Sequence, residues 1–186
     1  EILYINSAHC TGTLLNNTAQ DGRPLLLTAN HCIEGRDPSK FVFVFNYETE
    51  DCNSSKSKER KSINGAKLLA KDSPSDFCLL EMNDKPTAEM NPFYAGWNAN
   101  WEVPTSAVCI HHPNGDLKKI STVFGNIDVT DYDDNEDGIT HFRFSWTEGS
   151  TEGGSSGAAL FNQDRLVVGQ LEGGWADCNI PEGEDY

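Results

Sequence analysis

Short β-forming runs, separated by turn residues, constrain the fold of this sequence more than any other feature. The run at 41–47 reads Phe-Val-Phe-Val-Phe-Asn-Tyr, and further apolar runs lie at 25–28, 77–82, 107–111 and 166–171. No long segment carries an amphipathic helical pattern. The arrangement predicts an all-β chain of antiparallel strands, folded as barrels or as a sandwich. Strands are also expected at 10–15 and 93–97, and the acidic segment 128–137 is expected to be an exposed hairpin tip. Breaker residues around 83–92 place a boundary between two halves, 1–90 and 91–186.

The acidic balance of the chain narrows the classes of partner. The 186 residues carry a formal charge of −15 and a pI near 4.5. This charge disfavours binding to nucleic acid and to anionic membranes, and it is compatible with cationic substrates. No apolar run reaches the length of a membrane span, and the first residues do not form a basic region followed by an apolar stretch. We therefore expect no nucleic-acid or membrane partner, and we expect any leader or pro-segment to lie outside this sequence.

Six cysteines favour disulfides and an oxidising compartment, and therefore a secreted protein. The paired-cysteine and helical-histidine spacings of structural zinc sites are missing. The sequence therefore predicts no metal site and no other cofactor. The alternative is a metal site drawn from a group of histidines and cysteines: His9, Cys10, His31, Cys32, His111 and His112.

Three separated segments supply the serine, histidine and aspartate that nucleophilic catalysis by a serine hydroxyl requires. Ser156 lies in a Gly-Ser-Ser-Gly turn before an apolar strand, His31 follows the run at 25–28, and Asp76 precedes the run at 77–82. The chain order His, Asp, Ser is that of the chymotrypsin-type triad. Each segment taken alone has an ordinary structural interpretation as a packed histidine, a turn aspartate or a flexible loop. Together they favour nucleophilic catalysis.

The chemistry assigns a role to each residue. A serine hydroxyl is a weak nucleophile, so Ser156 needs His31 as a base within hydrogen-bond reach. Asp76 would hold the imidazole tautomer and stabilise the imidazolium. The backbone N–H groups of Gly154 and Ser156 would bind the oxyanion.

These segments resemble the lysyl endopeptidase family of bacterial secreted serine proteases, within the chymotrypsin-like superfamily. The resemblance covers nearly the whole chain. It implies two six-stranded antiparallel β-barrels with a cleft between them, the first carrying His31 and Asp76 and the second Ser156. It also implies that both ends are truncated and that the enzyme cuts after lysine through an acyl-enzyme, on protein or peptide substrates with a basic P1 residue. The matching segments are residues 16–19, 27–32, 75–77, 95–97, 110–114, 154–157 and 168–171.

The family pattern also implies a substrate site. Asp185, before Tyr186, resembles the acidic residue at the bottom of the S1 pocket, where it would pair with the substrate ammonium. Rival acids are Asp177, Glu182 and Glu184. The segment formed by Leu171, Glu172 and Gly173 would pair with the substrate backbone. Well-studied members carry a histidine at the position of Glu172, stacked on an aromatic residue of the loop that here contains Tyr132. Glu172 is instead a candidate second negative charge for a cationic substrate.

The resemblance pairs Cys10 with Cys32, and Cys52 and Cys178 with cysteines upstream of residue 1. Cys78 and Cys109 have no counterpart and would be either paired with each other or free and buried. Ser155 replaces the aspartate that pairs with a new N-terminus in digestive-type relatives, so any activation must work differently. Two alternatives stay open: a trypsin-like protease with another P1 specificity, and a catalytically silent binding domain on a protease scaffold.

Overall fold

The structure, a computed structural model, describes residues 1–5, 7–51, 54, 56–132 and 138–186. Strands of the first half form two antiparallel sheets with the orders β2-β1-β5-β6 and β3-β4-β8-β7. Their bounds are β1 (Ile2–Tyr4), β2 (Ser7–Cys10), β3 (Thr13–Leu15), β4 (Leu25–Ala29), β5 (Phe41–Phe45), β6 (Lys61–Asn64), β7 (Ala66–Asp72) and β8 (Phe77–Met82).

Strands of the second half form two further sheets, with the orders β10-β9-β13-β14 and β11-β12-β15. Short 3-10 turns lie at Pro38–Lys40, Ala88–Met90 and Pro113–Gly115. None of the helical segments in the described residues is long and apolar enough to cross a bilayer. The strand bounds are β9 (Ser106–His111), β10 (Lys119–Phe124), β11 (Asp128–Thr130), β12 (His141–Ser145), β13 (Ala159–Asn162), β14 (Val167–Gln170) and β15 (Glu184–Asp185).

Alternation along the strands builds a core in each half. In β8 the side chains of Cys78, Leu80 and Met82 point inward, while the residues between them are only partly buried. One buried cluster lies within residues 2–90 and a second within residues 107–176. A third cluster joins Leu27 of β4 to Ala159 of β13 and packs the two halves together. The site described below lies at this junction.

The prediction of an all-β chain is confirmed, whereas one predicted strand is absent and one observed strand was not predicted. The expected strand at 93–97 does not form, because Ala95 bridges to Leu15 in one half and Trp97 to Val167 in the other. A segment that crosses between two sheets cannot build a ladder with either. Strand β6 was not predicted, because Ile63 is its sole apolar residue.

The count and closure of the barrels stay a prediction. Among the described residues the pairings form four open sheets of three or four strands. The acidic segment 128–137 was predicted as an exposed hairpin tip. Its first part is β11, paired with β12, and residues 133–137 lie outside the described residues.

Candidate active site

His31 and Asp76 lie just beyond the paired ends of β4 and β8, where Ala29 is the register partner of Phe77. The backbone N–H of His31 donates to Asp76 Oδ1 (2.8 Å), and the ring Nδ1 donates to Asp76 Oδ2 (2.7 Å). Asn30 N–H donates to the Asp76 carbonyl (2.6 Å). Asp76 has a φ of +49°, in the left-handed region. The carboxylate therefore fixes both the backbone and the ring of His31.

This contact sets the protonation of the imidazole. An ionised carboxylate only accepts hydrogen bonds, so Nδ1 carries the proton and Nε2 is left as the basic nitrogen. The hydrogen bond that His31 donates to Asp76 is the largest cause that raises the pKa of His31 above its usual value. The negative charge of Glu172 also raises this pKa. The Asp76 side chain is 4% exposed and the His31 side chain 42% exposed. The base thus faces solvent while its orienting group does not.

The turn that carries Ser156 lies beside the same imidazole. Cys32 Sγ is 3.9 Å from His31 Nε2 and 3.9 Å from the Ser156 carbonyl oxygen. The Ser156 hydroxyl does not bond to Nε2 in this structure. It donates instead to the Glu172 carbonyl at 3.4 Å, a long hydrogen bond. The structure therefore makes the His31–Asp76 contact of the predicted triad and brings the Ser156 backbone to the same cystine sulfur as His31, with the serine–histidine hydrogen bond unmade.

The backbone before Ser156 presents two unused donors. The Gly153 carbonyl accepts from Asn114 N–H (2.6 Å). Because the C=O and N–H of a trans peptide point in opposite directions, this bond turns the Gly154 N–H away from Asn114. Gly154 has a φ of +95°, and a Cβ there would lie 3.0 Å from a carbonyl oxygen, which favours glycine. Within the described residues neither Gly154 N–H nor Ser156 N–H donates to an acceptor.

Thr11, from the first half, clamps this turn. Its backbone N–H donates to the Ser156 carbonyl (2.9 Å), and its hydroxyl donates to the Gly154 carbonyl (2.9 Å). The same hydroxyl accepts from His112 N–H (3.1 Å). Gly157, next along, donates to the Leu171 carbonyl at 2.7 Å. Both halves of the molecule therefore hold the nucleophile turn in place.

Asp185 and Ser156 both line a cavity of about 440 Å³. Asp185 is 1% exposed and accepts at Oδ2 from Trp146 Nε1–H (2.7 Å) and from the Thr151 hydroxyl. Burial raises the pKa of its carboxyl group. No cationic side chain of the described residues forms an ion pair with it. The cavity wall thus contains a buried carboxylate that lacks a positive partner in the part of the chain that the structure describes.

The rival acids are placed differently. Asp177 also borders the cavity, but its Oδ1 accepts from the backbone N–H groups of Asn179 and Ile180 in its own loop. Glu182 and Glu184 are exposed. Of the four candidates, Asp185 is therefore the one that is both buried and part of the cavity wall.

The predicted substrate edge is partly used inside the molecule. Leu171 N–H donates to Ala158, and its carbonyl accepts from Gly157. Beyond it, Glu172 N–H donates to the Tyr186 carbonyl, and Tyr186 N–H donates to the Gly173 carbonyl. The Glu172 carbonyl faces the Ser156 hydroxyl. The Leu171 backbone is thus committed to the sheet, and the Glu172 carbonyl is the polar group of this edge nearest the nucleophile.

The side chain of Glu172 has a partner on the neighbouring sheet. Its Oε2 is 2.7 Å from Nε2 of His141, a buried residue of β12. His141 Nδ1 is 2.8 Å from the Thr140 hydroxyl, and the Tyr132 ring centroid lies 5.9 Å from that of His141. Glu172 is therefore held by a histidine from another strand.

Cys10 and Cys32 form the expected disulfide beside His31, with an S–S distance of 1.97 Å. Their sulfurs lie within 4.8 Å of a His31 ring nitrogen, but atoms joined in a disulfide do not offer thiolate ligands to a metal. Cys78 and Cys109 are free and buried, and burial raises the pKa of the Cys78 thiol to about 12. Cys178 is free in this chain, and Cys52 lies outside the described residues.

Comparison with known proteins places this site in a family. Residues 2–186 match the family model described as lysyl endopeptidase, C-terminal domain. The chain is 35% identical over 191 aligned positions to a lysyl endopeptidase of Pseudomonas aeruginosa, covering 95% of this chain. This chain belongs to the lysyl endopeptidase family. It spans 40% of the length of that relative.

Solved structures of low sequence identity share the fold of this lysyl endopeptidase family member. Human heparin binding protein superposes with a TM-score of 0.65 at 16% identity, over 99% of this chain and 82% of the other. The active form of the Rv3671c protease from M. tuberculosis superposes with a TM-score of 0.57 at 16% identity, over 95% of this chain and 66% of the other. These likenesses show a chymotrypsin-like all-β fold.

Several residues of the site in this family member have no signal in the sequence. Thr11, Trp146 and Thr151 are ordinary strand or loop residues until the fold brings them to Gly154 and Asp185. A search for a buried acid near the end of the chain, with indole and hydroxyl donors upstream, would have suggested the Asp185 partners. Thr11 offers no such clue.

Proposed function

We propose that this chain is the protease domain of a secreted serine endopeptidase that cuts peptide bonds on the carboxyl side of lysine. The observation that carries the proposal is the His31–Asp76 pair beside the Ser156 turn, with two N–H groups unused next to the nucleophile. The relative from Pseudomonas aeruginosa is named lysyl endopeptidase. The disulfide between Cys10 and Cys32 supports an oxidising compartment.

In the first half-reaction the Ser156 hydroxyl turns from the Glu172 carbonyl to His31 Nε2. Nε2 accepts the proton as Oγ attacks the scissile carbonyl, and the oxyanion accepts hydrogen bonds from Gly154 and Ser156 N–H. Asp76 stabilises the imidazolium, which then protonates the leaving amine. Water attacks the acyl-enzyme by the same route, and Ser156 recovers its proton.

The buried carboxylate supports lysine as the P1 residue. A buried charge is costly unless it is paired, and an ammonium in the cavity would complete Asp185. Trp146 and Thr151 both donate to Oδ2. A guanidinium binds best through both carboxylate oxygens, whereas an ammonium binds as a point charge. The arrangement therefore favours lysine over arginine.

A peptide panel differing at P1 tests this specificity with the full-length protein. We expect kcat/KM for lysine to exceed that for arginine by about tenfold or more, since one charged contact is worth roughly 1.5–3 kcal/mol. Asp185→Asn should lower kcat/KM for lysine by about 10²-fold or more and leave a neutral P1 substrate much less affected. Asp177→Asn is the matched control and should keep the lysine preference. Equal cleavage after lysine and arginine, or a loss of preference in Asp177→Asn alone, would refute the assignment.

A further inference from the structure

A chain of buried polar side chains lies beneath the nucleophile turn. Ser155 Oγ is 2.8 Å from His111 Nδ1, and His111 Nε2 is 3.1 Å from Ser121 Oγ. The Ser121 hydroxyl donates to the Ser150 carbonyl at 2.8 Å, and Glu152 N–H donates to Ser155 Oγ at 3.2 Å. Ser155 and His111 are 0% exposed and Ser121 is 1% exposed. These groups have no access to water, so they satisfy one another.

The protons in this chain have one consistent order. The Ser150 carbonyl can only accept, so the Ser121 hydroxyl proton points to it and Ser121 Oγ accepts from His111 Nε2–H. A neutral imidazole then has its lone pair at Nδ1, which accepts the Ser155 hydroxyl proton. Burial lowers the pKa of His111 to about 4, with a smaller contribution from Lys119, its partner in register on β10. His111 is therefore neutral at ordinary pH, with its proton on Nε2.

This chain holds the turn that bears the two unused N–H groups. Ser155 lies between Gly154 and Ser156, and its backbone N–H donates to the Glu152 carbonyl at 2.9 Å. Its hydroxyl accepts from Glu152 N–H and donates to His111, so the hydroxyl and the backbone N–H of Ser155 are both fixed. The peptide planes on either side of Ser155 are thereby fixed as well.

The other end of the chain reaches the wall of the cavity. Ser121 holds the Ser150 carbonyl, and the next residue, Thr151, donates its hydroxyl to Asp185. His111 on β9 and Ser121 on β10 thus hold the segment 150–156 by hydrogen bonds at Ser155 and Ser150. The side-chain hydrogen bonds of Ser155, His111 and Ser121 all lie within residues 111–155, and none of these bonds requires a charged group.

We propose that His111 is a positioning residue. As a neutral imidazole it accepts the hydrogen bond of the Ser155 hydroxyl, and it thereby keeps the Gly154 and Ser156 N–H groups directed at the oxyanion. The proposal rests on the proposed function and deepens it. Ser155 cannot form the ion pair of digestive-type relatives, because it lacks a carboxylate. The uncharged hydrogen bond between Ser155 and His111 takes the place of that ion pair.

Two substitutions at His111 separate its two bonds. In His111→Asn the amide oxygen can stand near the former Nδ1 and accept from Ser155, whereas in His111→Gln the amide nitrogen can stand near the former Nε2 and donate to Ser121. Ser155→Ala removes the hydroxyl itself. We expect Ser155→Ala and His111→Gln to lower kcat by about 10²-fold with KM little changed, since a lost oxyanion donor costs about 10²–10³ in kcat. His111→Asn should retain several-fold more activity than His111→Gln.

A pair of ligands distinguishes positioning from general damage in the same full-length proteins. A peptide aldehyde with P1 lysine uses the oxyanion donors, whereas a simple alkylamine occupies the cavity alone. Ser155→Ala should weaken the aldehyde in proportion to kcat and change amine binding by less than about twofold. Thr105→Ala, a control just before the start of β9, should bind both ligands as the parent does. An unchanged aldehyde affinity, or an equal loss for both ligands, would overturn the proposal.

A spectroscopic readout keeps the test independent of activity. Imidazole nitrogen resonances of His111 should show the Nε2–H tautomer and stay constant from pH 7 to about 5, because burial lowers its pKa to about 4. An Nδ1–H tautomer, or titration near 6.5, would contradict the proposal even if the protein proved inactive. An inactive parent with the expected resonances would refute the proposed function and leave the hydrogen-bonded anchor standing.

Discussion

The Asp76 carboxylate holds His31, the proposed catalytic base, twice, through its backbone N–H and its ring Nδ1. Because Asp76 is almost fully buried, this pair is poorly screened by water or salt. The ring therefore has one tautomer and one orientation before substrate arrives. The proposed reaction also needs a hydrogen bond from the Ser156 hydroxyl to His31 Nε2, whereas in this structure the hydroxyl donates to the Glu172 carbonyl.

Asp76→Asn should lower kcat by about 10⁴-fold, because an amide no longer selects the Nδ1–H tautomer. His31 acts as a base only when neutral, and Asp76 raises its pKa. In the parent protein kcat/KM should therefore rise with pH through an apparent pKa above about 6.5, and in Asp76→Asn the midpoint should move to lower pH. Initial rates from pH 5 to 9 measure both quantities. An unchanged midpoint would contradict the assigned role of Asp76.

Sequence reasoning found the residues whose neighbours along the chain reveal them. His31, Asp76 and Ser156 each adjoin an apolar strand, whereas Asp185 was singled out by the resemblance to the family, as an acid before a tyrosine. Their partners could not be predicted in the same way, because Thr11 meets Gly154 across 143 positions. A contact of that kind depends on how two sheets pack, which no local pattern encodes.

The connection between β2 and β3 brings Thr11 against the nucleophile turn. Its hydroxyl and N–H hold two carbonyls of that turn, and its own carbonyl accepts from the Thr28 hydroxyl at 2.9 Å. The sequence predicted one continuous strand at 10–15, whereas the structure breaks it at residues 11–12. The break frees the Thr11 backbone to bond across the cleft. Alternation predicted β8 at its observed bounds, but it cannot predict such a break.

Thr11→Val tests this clamp with little change in shape. The variant loses the bonds to Gly154 and from His112, so the free energy of unfolding should fall by about 1–3 kcal/mol and kcat by about tenfold. Thr13→Val, the same change on β3, is the control, since the Thr13 hydroxyl has no hydrogen bond in the part of the chain that the structure describes. Urea unfolding and steady-state rates provide the two readouts. Equal effects of the two substitutions would show that the clamp does not matter.

The whole molecule combines a strongly acidic surface with buried, neutral histidines. Burial lowers the pKa of His111 to about 4 and that of His112 to about 3. Both are protonated in the unfolded chain below about 6.5. The unfolded state therefore binds more protons at these sites below that pH, and their contribution to stability is lost on acidification. The raised pKa values of His31 and Asp185 act in the opposite direction.

His112→Gln isolates the contribution of His112 to the pH dependence of the unfolding free energy. The contributions of the other titrating groups are the same in the variant and the parent, so they cancel in the difference. Between about pH 6 and 4 the parent should lose about 1.4 kcal/mol of unfolding free energy per pH unit more than the variant. His112 stacks on Tyr47, and its Nδ1 donates to the Asp116 carbonyl, so the variant should also be less stable at pH 7. Urea unfolding at four pH values measures the slopes. Parallel slopes would show that His112 is not neutral in the folded state.

Labelling with a fluorophosphonate tests most directly whether these residues form a working nucleophile. The full-length protein should take up one adduct per chain, mapped by peptide mass spectrometry to Ser156, and should lose peptidase activity in proportion. Ser156→Ala should bind substrate but neither label nor turn over, and His31→Ala should label far more slowly. No adduct on the folded protein, or equal labelling and full activity in Ser156→Ala, would contradict the account.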